Sequence, residues 1–327
     1  MKLRKLIFLP VILVALSGCE LFAKPVPKEE ANKQVAAAMT KSMTEKHESV
    51  DGTLGLKLDA TYIEYEDVVT SPSVVNELEA ELDVSFKAKD INKPTFQFAG
   101  TAEGKLSVKE NNVETNMISG NTALYYDANW LYADYKVTVK EGSTAPTKTE
   151  ENKVKFEVGQ INLPPVEEEA GVAGEMELET MLNSVKKIKA RKVGKNLVVS
   201  YEITQDDIVE LLLESQIKIG EALGMTFTSE EIEAARLDLE ESVKEFIEIR
   251  KAALNLVVSE AGLITKLDVV LDLDLFAKET RLNEVTGQPE GEYNTKTTIK
   301  GSVNLAVKYN QPVTITLPDF SGYVEIE

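Results

Sequence analysis

Between Leu263 and Leu275 the chain alternates almost without error, with Leu263, Thr265, Leu267, Val269, Leu271, Leu273 and Leu275 set against Lys266, Asp268, Asp272 and Asp274. A period of two with a single apolar set is the mark of a strand that has one buried and one wet face. The same pattern recurs at Leu54, Leu56, Leu58, Ala60 and Tyr62, and again at Leu78, Ala80, Leu82, Val84, Phe86 and Ala88. Phe96, Phe98, Ala102, Leu106 and Val108 continue it around glycines, and Thr297, Ile299, Val303, Leu305, Val307 and Tyr309 form a late long strand. Val313 to Leu317 reads as a last edge segment that stops at Pro318. Strands of this length and one-sidedness predict an antiparallel meander. Leu124 to Tyr132 reads as one of its hairpins, turning at Asp127-Ala128-Asn129 with aromatics on both arms.

Helical spacing interrupts the strands at a few places. Residues 29–48 lack Gly and Pro and place Ala31, Val35, Ala38, Met39 and Met43 on one side, which predicts a first amphipathic helix. Residues 174–187 predict a second, followed by a hairpin turning at Gly194-Lys195-Asn196. Thr204 with Asp207, and Thr228 with Glu231, have capping-box spacing and predict two successive helices joined at Gly224-Met225-Thr226-Phe227. The first carries Ile208, Leu211, Leu212, Ile219 and Leu223, widened by Val209, Leu213 and Ile217. So broad an apolar surface wants cover from more than one direction. Residues 140–175, with Gly142-Ser143-Thr144-Ala145-Pro146, Pro164-Pro165 and the acidic run Glu167 to Glu169, read as a surface excursion.

The first nineteen residues speak of location. Lys2, Arg4 and Lys5 precede an apolar run, Leu6 to Leu16, which is too short to span a bilayer stably and of the right length for a signal-peptide core. Leu16-Ser17-Gly18-Cys19 follows at once and looks like a lipobox, with cleavage between Gly18 and Cys19 and a diacylglycerol on the Cys19 thiol. Cys19 is the chain's single cysteine and has no disulfide partner, so lipidation accounts for an otherwise odd thiol. Residues 1–18 are thus expected to be a lipoprotein signal peptide and 19–28 a lipidated tether stiffened by Pro25 and Pro27, leaving 29–327 as a single domain. A thioether-linked diacylglycerol and an amide-linked chain give a stable attachment to a membrane the protein does not cross.

Composition excludes several classes of function. The formal net charge is −19, and removal of the leader takes away three positive charges. Nucleic acid is an unfavoured partner, because its phosphates need a basic patch and none stands out along the chain. No Gly-x-Ser-x-Gly elbow, His-Glu-x-x-His pair or phosphate-binding glycine loop occurs, and with one histidine the usual nucleophile systems cannot be built, so no catalytic role is expected. His47, the one histidine, falls near a helix end, which suits a C-terminal capping role better than a metal or catalytic one. Trp130 and its neighbouring tyrosines suit sheet packing better than a ligand rim. The Glu167 to Glu169 run lacks the spacing of a calcium loop, and Asp268, Asp272 and Asp274 fit the wet face of a sheet, so no metal site and no cofactor beyond the covalent lipid are expected.

Taken in order, the Leu16-Ser17-Gly18-Cys19 tetrad, the tether, one helix, a meander with an aromatic turn, a late helical pair, long strands and the terminal Val313-Thr314-Ile315-Thr316-Leu317-Pro318 resemble lipoproteins of the LolA/LppX-like superfamily, including members from bacteria without an outer membrane. The resemblance implies an α+β fold, a strongly curved antiparallel sheet forming an unclosed half-barrel with helices on its concave face. In characterised relatives the space between sheet and helices receives acyl chains. No arginine of this chain is assigned the lid-closing role found in some of them. Physics points the same way, since wide helix faces and one-sided strands cover each other, and incomplete filling leaves a dry aliphatic cavity. Leu212, Ile219, Leu239, Leu256 and Leu271 are its expected walls. The expectation is an extracytoplasmic lipoprotein, anchored to the cell membrane or to an outer membrane where the host has one, that binds a lipid or other hydrophobic ligand. The alternative is a surface-interaction or envelope-structural lipoprotein with a filled core.

Overall fold

The computed structural model describes residues 24–65, 72–91, 93–111, 113–142, 144–159, 178–282 and 289–326. Gly18 and Cys19 lie outside the described residues, as do the signal peptide and the part of the expected excursion from 160 to 175.

The elements run β1 (Lys24–Pro25), α1 (Lys28–Thr44), β2 (Ser49–Tyr65), β3 (Pro72–Lys89), β4 (Gln97–Glu110), β5 (Val113–Asp127), β6 (Trp130–Glu141) and β7 (Lys148–Glu157). A short helix α2 follows at 178–184. After it come β8 (Lys187–Val193), β9 (Asn196–Glu202), α3 (Gln205–Ala222), α4 (Ser229–Phe246), β10 (Ile247–Val258), β11 (Ile264–Leu282), β12 (Pro289–Tyr309) and β13 (Val324–Glu325). The strands make one thirteen-stranded sheet in the order β1-β8-β9-β10-β11-β12-β2-β3-β4-β5-β6-β7-β13, whose two edges do not meet. The fold is therefore a large, unclosed, strand-dominated sheet with helices. Its pairings are antiparallel except for the two-residue contact of β13 with β7.

Turn chemistry fixes the register. Ala128 and Asn129 link β5 to β6 with positive φ at both positions, the two-residue geometry whose twist matches that of the flanking strands, and Asp127 faces Trp130. Asn111 and Asn310 also take positive φ, and each side-chain oxygen accepts a backbone N–H, from Val75 and Glu48 respectively. Both capping boxes form. The Thr204 side chain accepts from the Asp207 N–H while the Asp207 carboxylate accepts from the Thr204 N–H, and Thr228 and Glu231 do the same for α4.

The core lies at one end of the sheet. Ala31, Val35 and Ala38 of α1 pack with Leu182 and Val185 against Leu197, Val199, Tyr201, Leu256, Val258 and Ile264. Here the structure departs from expectation, because α1 rather than the pair α3–α4 covers this core. Those two helices touch β10 and β11 and bury a narrow stripe, chiefly Val209, Leu213 and Val243, which leaves Leu212, Ile219, Leu223 and Leu237 exposed.

Two sequence readings at the other end are corrected. Within the expected excursion, Lys148–Glu157 is a strand that pairs along β6 from Val139–Lys148 to Trp130–Glu157. It escaped notice because, near an edge, only Val154 and Phe156 supply an apolar face. Val313 to Leu317 forms no strand, and the segment that joins the sheet is Val324–Glu325 instead. Between them Phe320 stacks on Tyr132 at 3.6 Å between ring centroids, and Tyr323 meets both rings edge-on, so the C-terminal segment is clamped onto β6.

Candidate functional site

Strand register lines the apolar positions into rows that cross the sheet. Leu305, Leu54, Val84, Ala102, Thr122 and Tyr135 follow one another from β12 to β6. Two residues along, the row is Val303, Leu56, Leu82, Gly104, Gly120 and Val137. The next is Gly301, Leu58, Ala80, Leu106, Ile118 and Val139. Side chains two apart share a face, so these rows form one continuous aliphatic surface.

That surface is open in the middle of the sheet. The helices make their main contacts with β8, β10 and β11, while on β3, β4 and β5 Leu82 and Leu106 are each 37% exposed and Ile118 is 46% exposed. Gly104 and Gly120, opposite each other, remove two side chains from the centre and leave a groove of about 480 Å³ lined by Leu82, Ala102, Leu106, Ile118, Tyr135 and Val137. Gly120 is there for a second reason, since a Cβ at that position would meet the Lys136 carbonyl oxygen at 2.6 Å.

The opposite face is ionic. Lys109 bridges Glu79 at 2.5 Å and Glu77 at 3.4 Å, Lys57 pairs with Glu81, and Lys140 meets Glu114 at 3.4 Å. The Lys109 hydrogen bond holds the Glu79 carboxyl below its usual range. Asp274, 1% exposed, accepts from Thr298 at 2.6 Å and Lys296 at 2.9 Å and from Arg250, which also pairs with Asp272. Burial pushes the Asp274 carboxyl up, but the bonds from Thr298, Lys296 and Arg250 outweigh it and hold the group ionised below the ordinary carboxylate value. Asp268 pairs with Lys266. The three aspartates are thus neutralised by neighbouring cations rather than converging on a shared point.

The expected cavity walls do not share one site. Leu256, 1% exposed, is in the closed core beneath α1, and Leu271 is half-buried on the apolar face between Ala252 and Gly301. Leu239 is half-buried on α4, whereas Leu212 and Ile219 are 41% and 63% exposed on α3. His47 rests its ring on Tyr309 at 4.4 Å with Nε2 3.3 Å from the Ser42 carbonyl oxygen, and Trp130 lies under Lys155.

Sequence reasoning missed one charged feature. Lys186, Lys187, Lys189, Arg191, Lys192 and Lys195 are all exposed on and around β8, with no acidic residue among positions 186–195. The acidic net charge of the whole chain had masked it. Beside it a cleft of about 710 Å³ between β8, β9 and β10 is lined by Lys187, Lys189, Lys251, Ser200 and Asn255, with Glu202 its acidic member. A larger cleft, about 1090 Å³, opens at the strand ends between Asp51, Lys195, Glu260 and Lys308 and is mixed in charge.

No family model matches the chain, and no curated protein matches it. Solved structures that are similar in part include the following two. The translocator domain of the autotransporter NalP from Neisseria meningitidis shares 9% identity over 83% of this chain and 93% of that one, with a TM-score of 0.20. A β-barrel-like protein of domain of unknown function DUF1849 from Brucella abortus shares 9% identity over 80% of this chain and 98% of that one, with a TM-score of 0.21. Neither is described as a LolA- or LppX-like lipoprotein.

Proposed function

We propose that this chain is an extracytoplasmic lipoprotein, anchored through diacylglycerol on Cys19, that holds a lipid or other hydrophobic ligand against the apolar face of its sheet. In this reading the sheet curls as a half-barrel with that face inward, as in the LolA/LppX-like proteins the sequence resembles. The observation that carries it is the patch of exposed aliphatic side chains, Leu82, Leu106 and Ile118, around the glycine pair Gly104 and Gly120. A monomeric soluble protein seldom leaves a large contiguous aliphatic patch wet, and a groove lined chiefly by aliphatic side chains and glycines suits acyl chains better than polar ligands. No described helix is long and apolar enough to cross a membrane, and the attachment proposed is the Cys19 lipid. The proposed role is non-catalytic and uses no cofactor.

Native mass spectrometry of the purified protein, followed by lipid extraction, tests the ligand. A retained lipid mass supports the reading, and a ligand-free protein refutes it. Metabolic labelling with a fatty acid tests the anchor, because Cys19→Ser should abolish the label.

The second reading, a surface-interaction lipoprotein with a filled core, draws on the closed packing beneath α1, where Val35, Val199 and Leu256 are almost entirely buried. It predicts a protein that never carries lipid.

A further inference from the structure

We infer that the β8 edge is the face this protein lays against an anionic lipid surface, an orientation that rests on the Cys19 anchor proposed above. Six of the chain's thirty-six basic residues fall within ten positions, Lys186 to Lys195, in a protein of net charge −19. Acidic surfaces are repelled by anionic headgroups, so an anchored protein of this charge turns its cationic edge toward the bilayer.

Three observations support this orientation. First, β1 pairs with β8, Lys24 opposite Lys192 and Pro25 opposite Arg191, so the first described residues lie at this edge. Four residues lie between Cys19 and Lys24, and a fully extended chain over those five steps reaches at most about 18 Å. Second, Lys24 and Lys192 are like charges directly opposite on neighbouring strands, an arrangement that costs stability unless anions lie nearby. Third, Lys187, Lys189 and Arg191 alternate along β8 and share its polar face, and the first two border the cleft whose Ser200 and Asn255 supply further polar groups. Lys186, Lys187 and Lys195 meet Glu210 at 3.9 Å, Glu202 at 2.6 Å and Glu260 at 2.9 Å, and such pairs on largely exposed lysines contribute little and can give way to headgroup phosphates. A nucleic acid fits less well, since no aromatic side chain is interleaved with the cations to stack on bases.

The test uses the mature chain from residue 19 with Cys19→Ser, so that neither covalent lipid nor the cationic apolar leader plays a part, and measures co-sedimentation with vesicles of phosphatidylglycerol and phosphatidylcholine against phosphatidylcholine alone. Binding should need the anionic lipid and weaken with salt. Lys189→Gln should weaken it about five-fold, and the triple change Lys189→Gln, Arg191→Gln, Lys192→Gln roughly 100-fold, the ratios that follow from the ~1 kcal/mol each basic residue contributes at such a surface. Lys87→Gln, Lys105→Gln, Lys300→Gln should bind as the parent does, and far-UV circular dichroism confirms that each variant keeps its sheet. Equal binding to neutral vesicles, or indifference to the triple change, overturns the inference. So does displacement by millimolar inorganic phosphate at constant ionic strength, which makes free phosphate the occupant, or duplex DNA binding that depends on the same residues. The anchor is judged separately by fatty-acid labelling at Cys19, so its failure is not confused with failure of the basic edge.

Discussion

The Tyr201 hydroxyl donates to the Asn32 side-chain oxygen at 2.8 Å in the interior, and Asn32 donates onward to Asn183 at 2.7 Å. This chain of polar groups ties α1 to β9 and to α2 in the middle of an aliphatic core. Tyr201→Phe leaves the Asn32 oxygen buried without a donor, so the expected cost is about 1–3 kcal/mol in urea unfolding. Adding Asn32→Leu to it should recover part of the loss, since removing both partners leaves no orphaned group.

Asp274 gives the fold a defined acid sensitivity. Its folded carboxyl titrates below the ordinary value of about 3.9, so its stabilisation is present at neutral pH and is lost as pH falls from about 4 through the lowered folded value. Asp274→Asn should cost ~1.5–3 kcal/mol at pH 7, where it leaves Arg250 and Lys296 without their shared anion. The gap between variant and parent should narrow at pH 3. Urea midpoints at the two pH values check this, and an unchanged gap would contradict it.

The two glycines on the groove floor should respond differently. Gly120→Ala forces a methyl group against the Lys136 carbonyl oxygen, and about 1–3 kcal/mol of destabilisation is expected from overpacking. A Cβ at Gly104 would meet nothing closer than 3.4 Å, so Gly104→Ala should be near neutral in the same thermal melt.

Ala128 sits at φ 48° in the β5–β6 turn, a conformation that costs an alanine roughly 1–2 kcal/mol. Ala128→Gly should therefore raise the melting temperature, and Ala128→Val should lower it.

These sites also show what the sequence made legible. Strands and capping boxes were readable because their causes are local. The alternation from Leu263 to Leu275 appears as β11, and Thr204 with Asp207 caps α3. The surface excursion was misread at Lys148 to Glu157 because an edge strand needs little apolar content, and only its pairing with β6 reveals it. Assigning Leu212 and Ile219 to a cavity failed to anticipate their exposure, since the stripe of α3 that meets the sheet is Val209 and Leu213, one position further along the helix. The groove itself was invisible in advance. It exists only because register sets Gly104 beside Gly120 and brings Leu106 next to Ile118 across two strands far apart in order from the helices. The Lys186 to Lys195 cluster, by contrast, was plain in the sequence and was hidden by reading charge as a sum.

The central claim, that the open aliphatic face holds lipid, is most directly tested by native mass spectrometry with lipid extraction on the parent protein and on Leu106→Asn, Ile118→Asn. Because both side chains are over a third exposed, the pair of changes should leave the urea midpoint nearly unmoved, within ~0.5 kcal/mol per site, whereas Leu256→Ala in the closed core should cost about 2–5 kcal/mol. The account predicts a lipid mass bound to the parent and absent from the groove variant at unchanged stability. A parent protein without lipid, or a groove variant that keeps it, would contradict the account.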